Sequence, residues 1–125
     1  MRNFMISMVV AAAGLGACGG GSATPKEQCQ DAAKAICGRI YECYTAAEVM
    51  AAGFPASETE CVAKQESSQM CATATATSAC EMNQKFHADK ADACIGELDA
   101  ASCTEFKSGM PSAYAPSCDA VCTAN

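Results

Sequence analysis

The chain has 125 residues, eleven of them cysteine, and a formal net charge of −6. That length is one domain, and fourteen Asp and Glu against eight Lys and Arg argue against a nucleic-acid partner, which demands a basic face. Beyond residue 17 the aromatic residues are only Tyr41, Tyr44, Phe54, Phe86, Phe106 and Tyr114, with no Trp. A core of alanine and a few large groups buries little area, so disulfides are the expected compensation.

Residues 1–17 have the three parts of an export signal. Arg2 supplies the positive end, Phe4 to Ala13 is almost wholly apolar, and Gly14 to Ala17 are small apart from Leu15. The apolar run falls short of the roughly 20 residues a membrane-spanning helix needs. Leu15-Gly16-Ala17-Cys18 resembles the lipobox of bacterial lipoproteins. The resemblance implies that the Cys18 thiol is alkylated by diacylglycerol, and that residues 1–17 are then removed so that Cys18 becomes the acylated first residue. The alternative is an ordinary secretory signal cut near Ala17. Residues 18–25 follow as a lipidated tether, with Gly19, Gly20 and Gly21 making it flexible. Gly19 stands where enteric lipoproteins retained at the inner membrane carry aspartate. By that resemblance the outer membrane is favoured over the inner one.

The domain, residues 26–125, opens with a helical pattern. Cys29, Ala33, Ile36, Ile40 and Cys43 recur at steps of four and three from Lys26 to Tyr44, and Pro25 suits the helix start. Asp31, Lys34, Arg39 and Glu42 are expected on its other faces. Cys29, Cys37 and Cys43 are too far apart along one helix to bond one another. Thr45 and Glu48 form a capping box for a short helix that ends at Gly53. Ser57 and Glu60 form a second, opening a helix with Cys61, Val62, Met70 and Cys71.

Residues 72–79 alternate Ala with Thr or Ser. They are too small to bury a useful strand face, and no second strand is visible to pair with them, so a loop or fraying helix end is expected. Met82, Phe86, Ala91, Cys94, Ile95 and Leu98 read as further helix, with Asp89 as a cap near its start. Ser102 and Glu105 form a third capping box. Gly109, Met110 and Pro111 break the chain before a last helical turn with Cys118, Val121 and Cys122. The expected fold is all-α, a small disulfide-stapled bundle of four to six short helices.

Ten cysteines, Cys29, Cys37, Cys43, Cys61, Cys71, Cys80, Cys94, Cys103, Cys118 and Cys122, remain beyond Cys18. An even number in an exported chain reads as a disulfide set. The pairing stays open among roughly 945 connectivities, nine times the 105 for eight cysteines. Spacing argues against a bond within 26–44 and against Cys94 with Cys103, and favours each helix tied to a different one. No metal site is expected. Cys118 and Cys122 share a helical face, but no Cys-x₂-Cys is present, and His87 is the sole imidazole. Asp89 and Asp92 lack the alternating ligands of a calcium loop. No cofactor motif is present, and no thioredoxin-type Cys-x-x-Cys. Hydrolysis by a triad would have to pass through His87, which is expected instead at the surface or at a helix cap; no catalytic residue is assigned.

The Leu-Gly-Ala-Cys-Gly-Gly leader end, the Cys29-x₇-Cys37-x₅-Cys43 run, the segment Cys94 to Cys103, Pro111 and Cys118-Asp-Ala-Val-Cys122 together resemble small cysteine-rich helical lipoproteins of the myxobacterial type. The resemblance implies a localisation and a fold class, and assigns no functional residue beyond Cys18. The leading expectation is a lipid-anchored cell-envelope protein with a structural or protein-interaction role. Its partners would be the membrane, through the anchor, and another envelope protein. The alternatives are an anchored hydrolase or hydrolase inhibitor using loop 72–79 or 107–117, and a small-ligand carrier using space among Phe54, Phe86 and Phe106.

Overall fold

The computed structural model describes residues 23–125. The leader, Cys18 and the glycines that follow it lie outside the described residues. Six helices form: α1 Pro25–Cys43, α2 Ala46–Ala51, α3 Glu58–Ser68, α4 Ala88–Ala100, α5 Cys103–Lys107 and α6 Pro111–Tyr114. Two 3₁₀ turns, Cys71–Thr73 and Pro116–Ala120, and two short strands, β1 Gln84–Phe86 and β2 Cys122–Ala124, complete the order. No helix among the described residues is long and apolar enough to cross a membrane.

Local chemistry starts several of these helices. Thr24 Oγ1 accepts the Glu27 amide at 3.3 Å, while Glu27 Oε2 accepts the Thr24 amide at 2.7 Å. Thr45 with Glu48 and Ser102 with Glu105 repeat the reciprocal box. Ser57 makes half of the expected arrangement: its hydroxyl accepts from the Glu60 amide at 3.3 Å, but Glu60 does not return the bond. Gly53, at φ 77°, turns the chain out of α2 in the left-handed conformation that glycine tolerates best.

α1 is the hub. On one side Cys37 and Ile40 join Val49 of α2 and Cys61 of α3, with Tyr41, Tyr44, Phe54 and Phe106 packed around them. On another side Ala35 meets Leu98 of α4 and Ala115, flanked by Ile95 and Tyr114. The largest fully buried side chains are Cys37, Cys61 and Cys71. The centre of the fold is therefore half-cystine rather than large hydrocarbon.

The three cysteines of α1 reach three different elements. Cys29 bonds Cys71 in the first 3₁₀ turn, Cys37 bonds Cys61 in α3, and Cys43 bonds Cys103 at the start of α5. Cys94 of α4 bonds Cys118 in the second 3₁₀ turn, and Cys80 bonds Cys122 at the start of β2. Arg39, expected on an outer face, is instead buried at 9% exposure. Its guanidinium lies against the sulfurs of Cys43 and Cys103, donates to the Ala101 carbonyl and pairs with Glu42 at 2.5 Å. It thus serves the open C-terminal end of α4.

The all-α expectation is corrected at one place. Phe86 does not belong to a helix. Gln84, Lys85 and Phe86 pair antiparallel with Ala124, Thr123 and Cys122. Helix α4 begins only at Ala88, with His87 at its N-cap making no side-chain cap bond. Asp89 lies inside the first turn and is not the cap. The last helical turn ends at Ala120, which leaves Cys122 in a strand. The cause is non-local: β1 finds its partner in residues 122–124, and the Cys80–Cys122 bond ties the segment before β1 to the start of β2. Segment 72–79 remains non-strand, closed by Thr75 and Ser78 exchanging amide-to-hydroxyl bonds at 2.9 and 3.2 Å.

Two outcomes are expected. Backbone and side-chain bonds from Thr24 and Thr45 hold the Glu27 and Glu48 carboxyls below their ordinary 4.5, and the Ser102 hydroxyl and amide do the same for Glu105. Depressed carboxyls stabilise fully above 4.5, and that contribution is lost as pH falls through the lowered values. The melting temperature should fall below that pH, and the triple variant Glu27→Gln/Glu48→Gln/Glu105→Gln should show a shallower fall. Second, loop entropy alone ranks the 42-residue Cys80–Cys122 closure about 0.5 kcal/mol above the 24-residue Cys37–Cys61 closure. Cys37 and Cys61 are 0% and 1% exposed, so replacing them also opens a void. Urea unfolding should find Cys37→Ala/Cys61→Ala the more destabilised pair, by about 1 kcal/mol or more.

Candidate functional site

The start of α1 crosses the start of α4. Gln28, 4% exposed, makes the crossing polar: its Nε2 donates to the Ala88 carbonyl at 2.9 Å and to Asp92 Oδ1 at 2.8 Å. Both partners are acceptors, so the amide orientation is determined. Gln28 Oε1 is then left buried without a hydrogen-bond partner among the described residues. An unmet buried acceptor of this kind costs about 1–3 kcal/mol.

Beside this crossing lies a cleft of about 510 Å³. Pro25, Gln28, Cys29 and Ala32 of α1 form one wall, and Ala91, Cys94 and Ile95 of α4 form another. Met70, Ala74 and Ser78 come from the segment after α3, and Phe86, Cys118 and Val121 from the ribbon side. Among the described residues no charged side chain lines it. Two disulfides, Cys29–Cys71 and Cys94–Cys118, contribute sulfur to its walls. Met70, at φ 52° and 71% exposed, stands on the rim.

A second apolar surface surrounds α2. Phe54, Phe106, Tyr44 and Val49 border a more open hollow of about 550 Å³. Tyr44 and Phe106 meet edge to face with ring centroids 6.3 Å apart, Phe106 meets Tyr114 at 6.1 Å, and Lys107 Nζ sits 4.8 Å above the Tyr44 ring. The three phenylalanines expected to share one space therefore do not. Phe86 lines the first cleft, while Phe54 and Phe106 line the second hollow. The reason is again the ribbon, which carries Phe86 away from the helical face that periodicity assigned to it.

His87 is placed by the ribbon as well. Its amide donates to the Val121 carbonyl at 2.8 Å, and its Nε2 lies 2.7 Å from Thr123 Oγ1. No carboxylate pairs with the imidazole among the described residues, and Asp89 turns toward Lys90 at 3.9 Å. The pair joins the first residue of the α4 cap to β2. Among the described residues no group of three or more His, Cys, Asp or Glu is arranged to hold a metal ion. Of the two candidate loops, 72–79 forms part of the cleft wall. Within 107–117, Pro111–Tyr114 form α6, Pro116 and Ser117 open the second 3₁₀ turn, and Ser117 is bound to Glu97 at 2.7 and 2.9 Å.

Sequence reasoning missed Gln28 and misplaced Arg39. Arg39 had a legible signal, since it stands four residues before Cys43 and so shares its face. Gln28 had none, because its partners Ala88 and Asp92 lie 60 and 64 residues away. No protein-family model matches the chain, and neither a curated protein nor a solved structure matches it.

If the His87–Thr123 bond only fastens the ribbon, His87→Ala and Thr123→Val should each cost about 0.5–1.5 kcal/mol. The double variant should cost no more than the larger single one, as measured by a thermodynamic cycle in urea.

Proposed function

We propose that the chain is a lipid-anchored protein of the bacterial cell envelope whose disulfide-held domain works by binding. Cys18 carries the lipid at the head of the tether, residues 18–25, and residue 19 being Gly favours the outer membrane. The protein is of the same kind as the small cysteine-rich helical lipoproteins of the myxobacterial type that its cysteine spacing resembles. Its partners are the membrane, through the anchor, and a further envelope component met by the folded domain.

The observation that carries the binding reading is the cleft between α1 and α4: a preformed, uncharged hollow of about 510 Å³ in an otherwise acidic chain. Rigid walls with a few polar groups are what small-ligand recognition requires. The same observation favours the carrier among the alternatives, because segment 72–79 is used as a wall and is not a free-standing inhibitory loop. The hollow beside α2, with Met50 74% exposed near it, offers the protein partner an apolar surface.

The test combines labelling with complementation. Cells fed a clickable fatty acid should label the wild-type chain and not Cys18→Ala. In a deletion strain, His87→Ala should restore the wild-type phenotype and Cys18→Ala should not. Absence of label on the wild type would overturn the anchor. Failure of a folded, anchored His87→Ala would make an enzyme the better reading.

A further inference from the structure

We propose that the Cys43–Cys103 disulfide is a thiol–disulfide exchange site, opened by a dithiol reductant that attacks Cys103 and expels Cys43 as a thiolate held by Arg39. The inference goes beyond the binding reading and depends neither on the lipid at Cys18 nor on the cleft.

The first observation is the charge beside the sulfurs. Arg39 Nη2 lies 3.3 Å from Cys43 Sγ and 3.8 Å from Cys103 Sγ. The residue is 9% exposed, so solvent screens that charge little. Glu42, which pairs with Nη1, has a side chain 65% exposed, and its hydrated carboxylate offsets the charge only in part. The guanidinium is also short of acceptors, since Nε is buried with no partner among the described residues. A disulfide sulfur is a neutral, weak acceptor, whereas a thiolate accepts a charge-assisted bond. Arg39 therefore favours the opened state of this pair. It also favours Cys43, the nearer sulfur, as the leaving group, because a stabilised thiolate leaves faster.

The second observation is access. Cys103 is half-buried at the start of α5, between exposed Ser102 and Thr104, on a helix with no buried residue. The other four bonds lack one or both features. Cys37 and Cys61 are closed off at 0% and 1% exposure, and Cys71 is 0% exposed at one end of its bond to Cys29. Cys80 Sγ lies 4.0 Å from the Val121 carbonyl oxygen and Cys122 Sγ 3.6 Å from that of Ala79, and such oxygens oppose a nascent thiolate. Cys94 and Cys118 face the cleft, which no charged side chain lines among the described residues.

In the first step a reductant thiolate bonds to Cys103 Sγ, the S–S bond breaks, and its electron pair leaves on Cys43 Sγ beside Arg39. The second reductant thiol, as thiolate, then attacks the mixed disulfide, which closes the reductant's own disulfide and releases Cys103. The cysteine pair gains two electrons and the reductant loses two. Of the reductant's two protons, Cys103 takes one and solvent the other, while Cys43 stays a thiolate. The remaining four bonds are untouched, so only the tie between α1 and α5 is released.

The experiment uses the full chain, expressed with its own leader and purified folded in detergent without reductant. Dithiothreitol is added, timed samples are quenched with excess N-ethylmaleimide, and the remaining bonds are then reduced and labelled with iodoacetamide. Peptide mass mapping gives the opening rate of each bond. Cys43 and Cys103 should be freed together, at least about tenfold faster than any other pair. With glutathione in place of dithiothreitol, the trapped adduct should sit on Cys103 with Cys43 free. Arg39→Met should lower the rate of this bond relative to Cys80–Cys122 by about tenfold, and Arg39→Lys, which keeps a cation, by about threefold or less. The ratio compares two bonds in one molecule, so a general loosening that speeds both does not imitate the result.

Another bond opening first, an adduct on Cys43, a ratio unchanged or raised in Arg39→Met, or Arg39→Lys as slow as Arg39→Met would overturn the proposal. If Arg39→Met does not fold, the wild-type ranking and the position of the adduct still decide. Failure here leaves the fatty-acid labelling of Cys18 and the binding reading standing as separate results.

Discussion

Everything in this fold hangs on one helix being bonded to three neighbours at three heights. Cys29, Cys37 and Cys43 are spread over 14 positions of α1, about 21 Å along the axis. Each leads to a different element: the 3₁₀ turn after α3, α3 itself, and α5. A domain of this size with six aromatic residues has too little hydrocarbon to hold five other helices by burial alone. Cross-linking removes freedom from the unfolded chain instead, so a thin core suffices. The sulfurs also act as the packing. Cys37, Cys61 and Cys71 occupy the positions where a larger domain would place Leu or Phe.

The same thinness explains where polar groups enter. With alanine on many inward positions, helices approach closely and leave gaps beside their crossings. Arg39 fills one gap, its guanidinium lying against the Cys43–Cys103 bond and serving the Ala101 carbonyl. Gln28 fills another, fastening α1 to α4 through a backbone carbonyl and a carboxylate. Neither group is fully satisfied: Gln28 Oε1 and Arg39 Nε are both buried without partners. The difference between them is location. Arg39 is enclosed by disulfide and helix end, whereas Gln28 is enclosed at the crossing of two helices.

Much of the local structure was legible because its causes are local. The capping boxes at Thr45 and Ser102, the stop at Gly53 and the helical stripe from Cys29 to Cys43 all depend on residues within four positions of each other. The box at Thr24 follows the same rule. The reading failed where partners are distant. Phe86 fits a helical period with Ala91 and Ile95, yet it pairs with Cys122, 36 residues on. Period-based reasoning has no access to such a contact, and a three-residue strand is too short to show alternation of its own.

What the sequence alone determined is that this is a small, cysteine-dense, alanine-rich chain made of short helices, in which the cysteines of α1 cannot bond one another. Those statements follow from composition, from capping chemistry and from the fixed rise of a helix. Tertiary structure alone decided which cysteines join and that residues 84–86 pair with residues 122–124 in a ribbon. It also decided that Phe86 parts company with Phe54 and Phe106, and that Gln28 is stripped of water beside an uncharged cleft. Each of these depends on residues brought together across 24 to 64 positions, and only the packed backbone sets such distances.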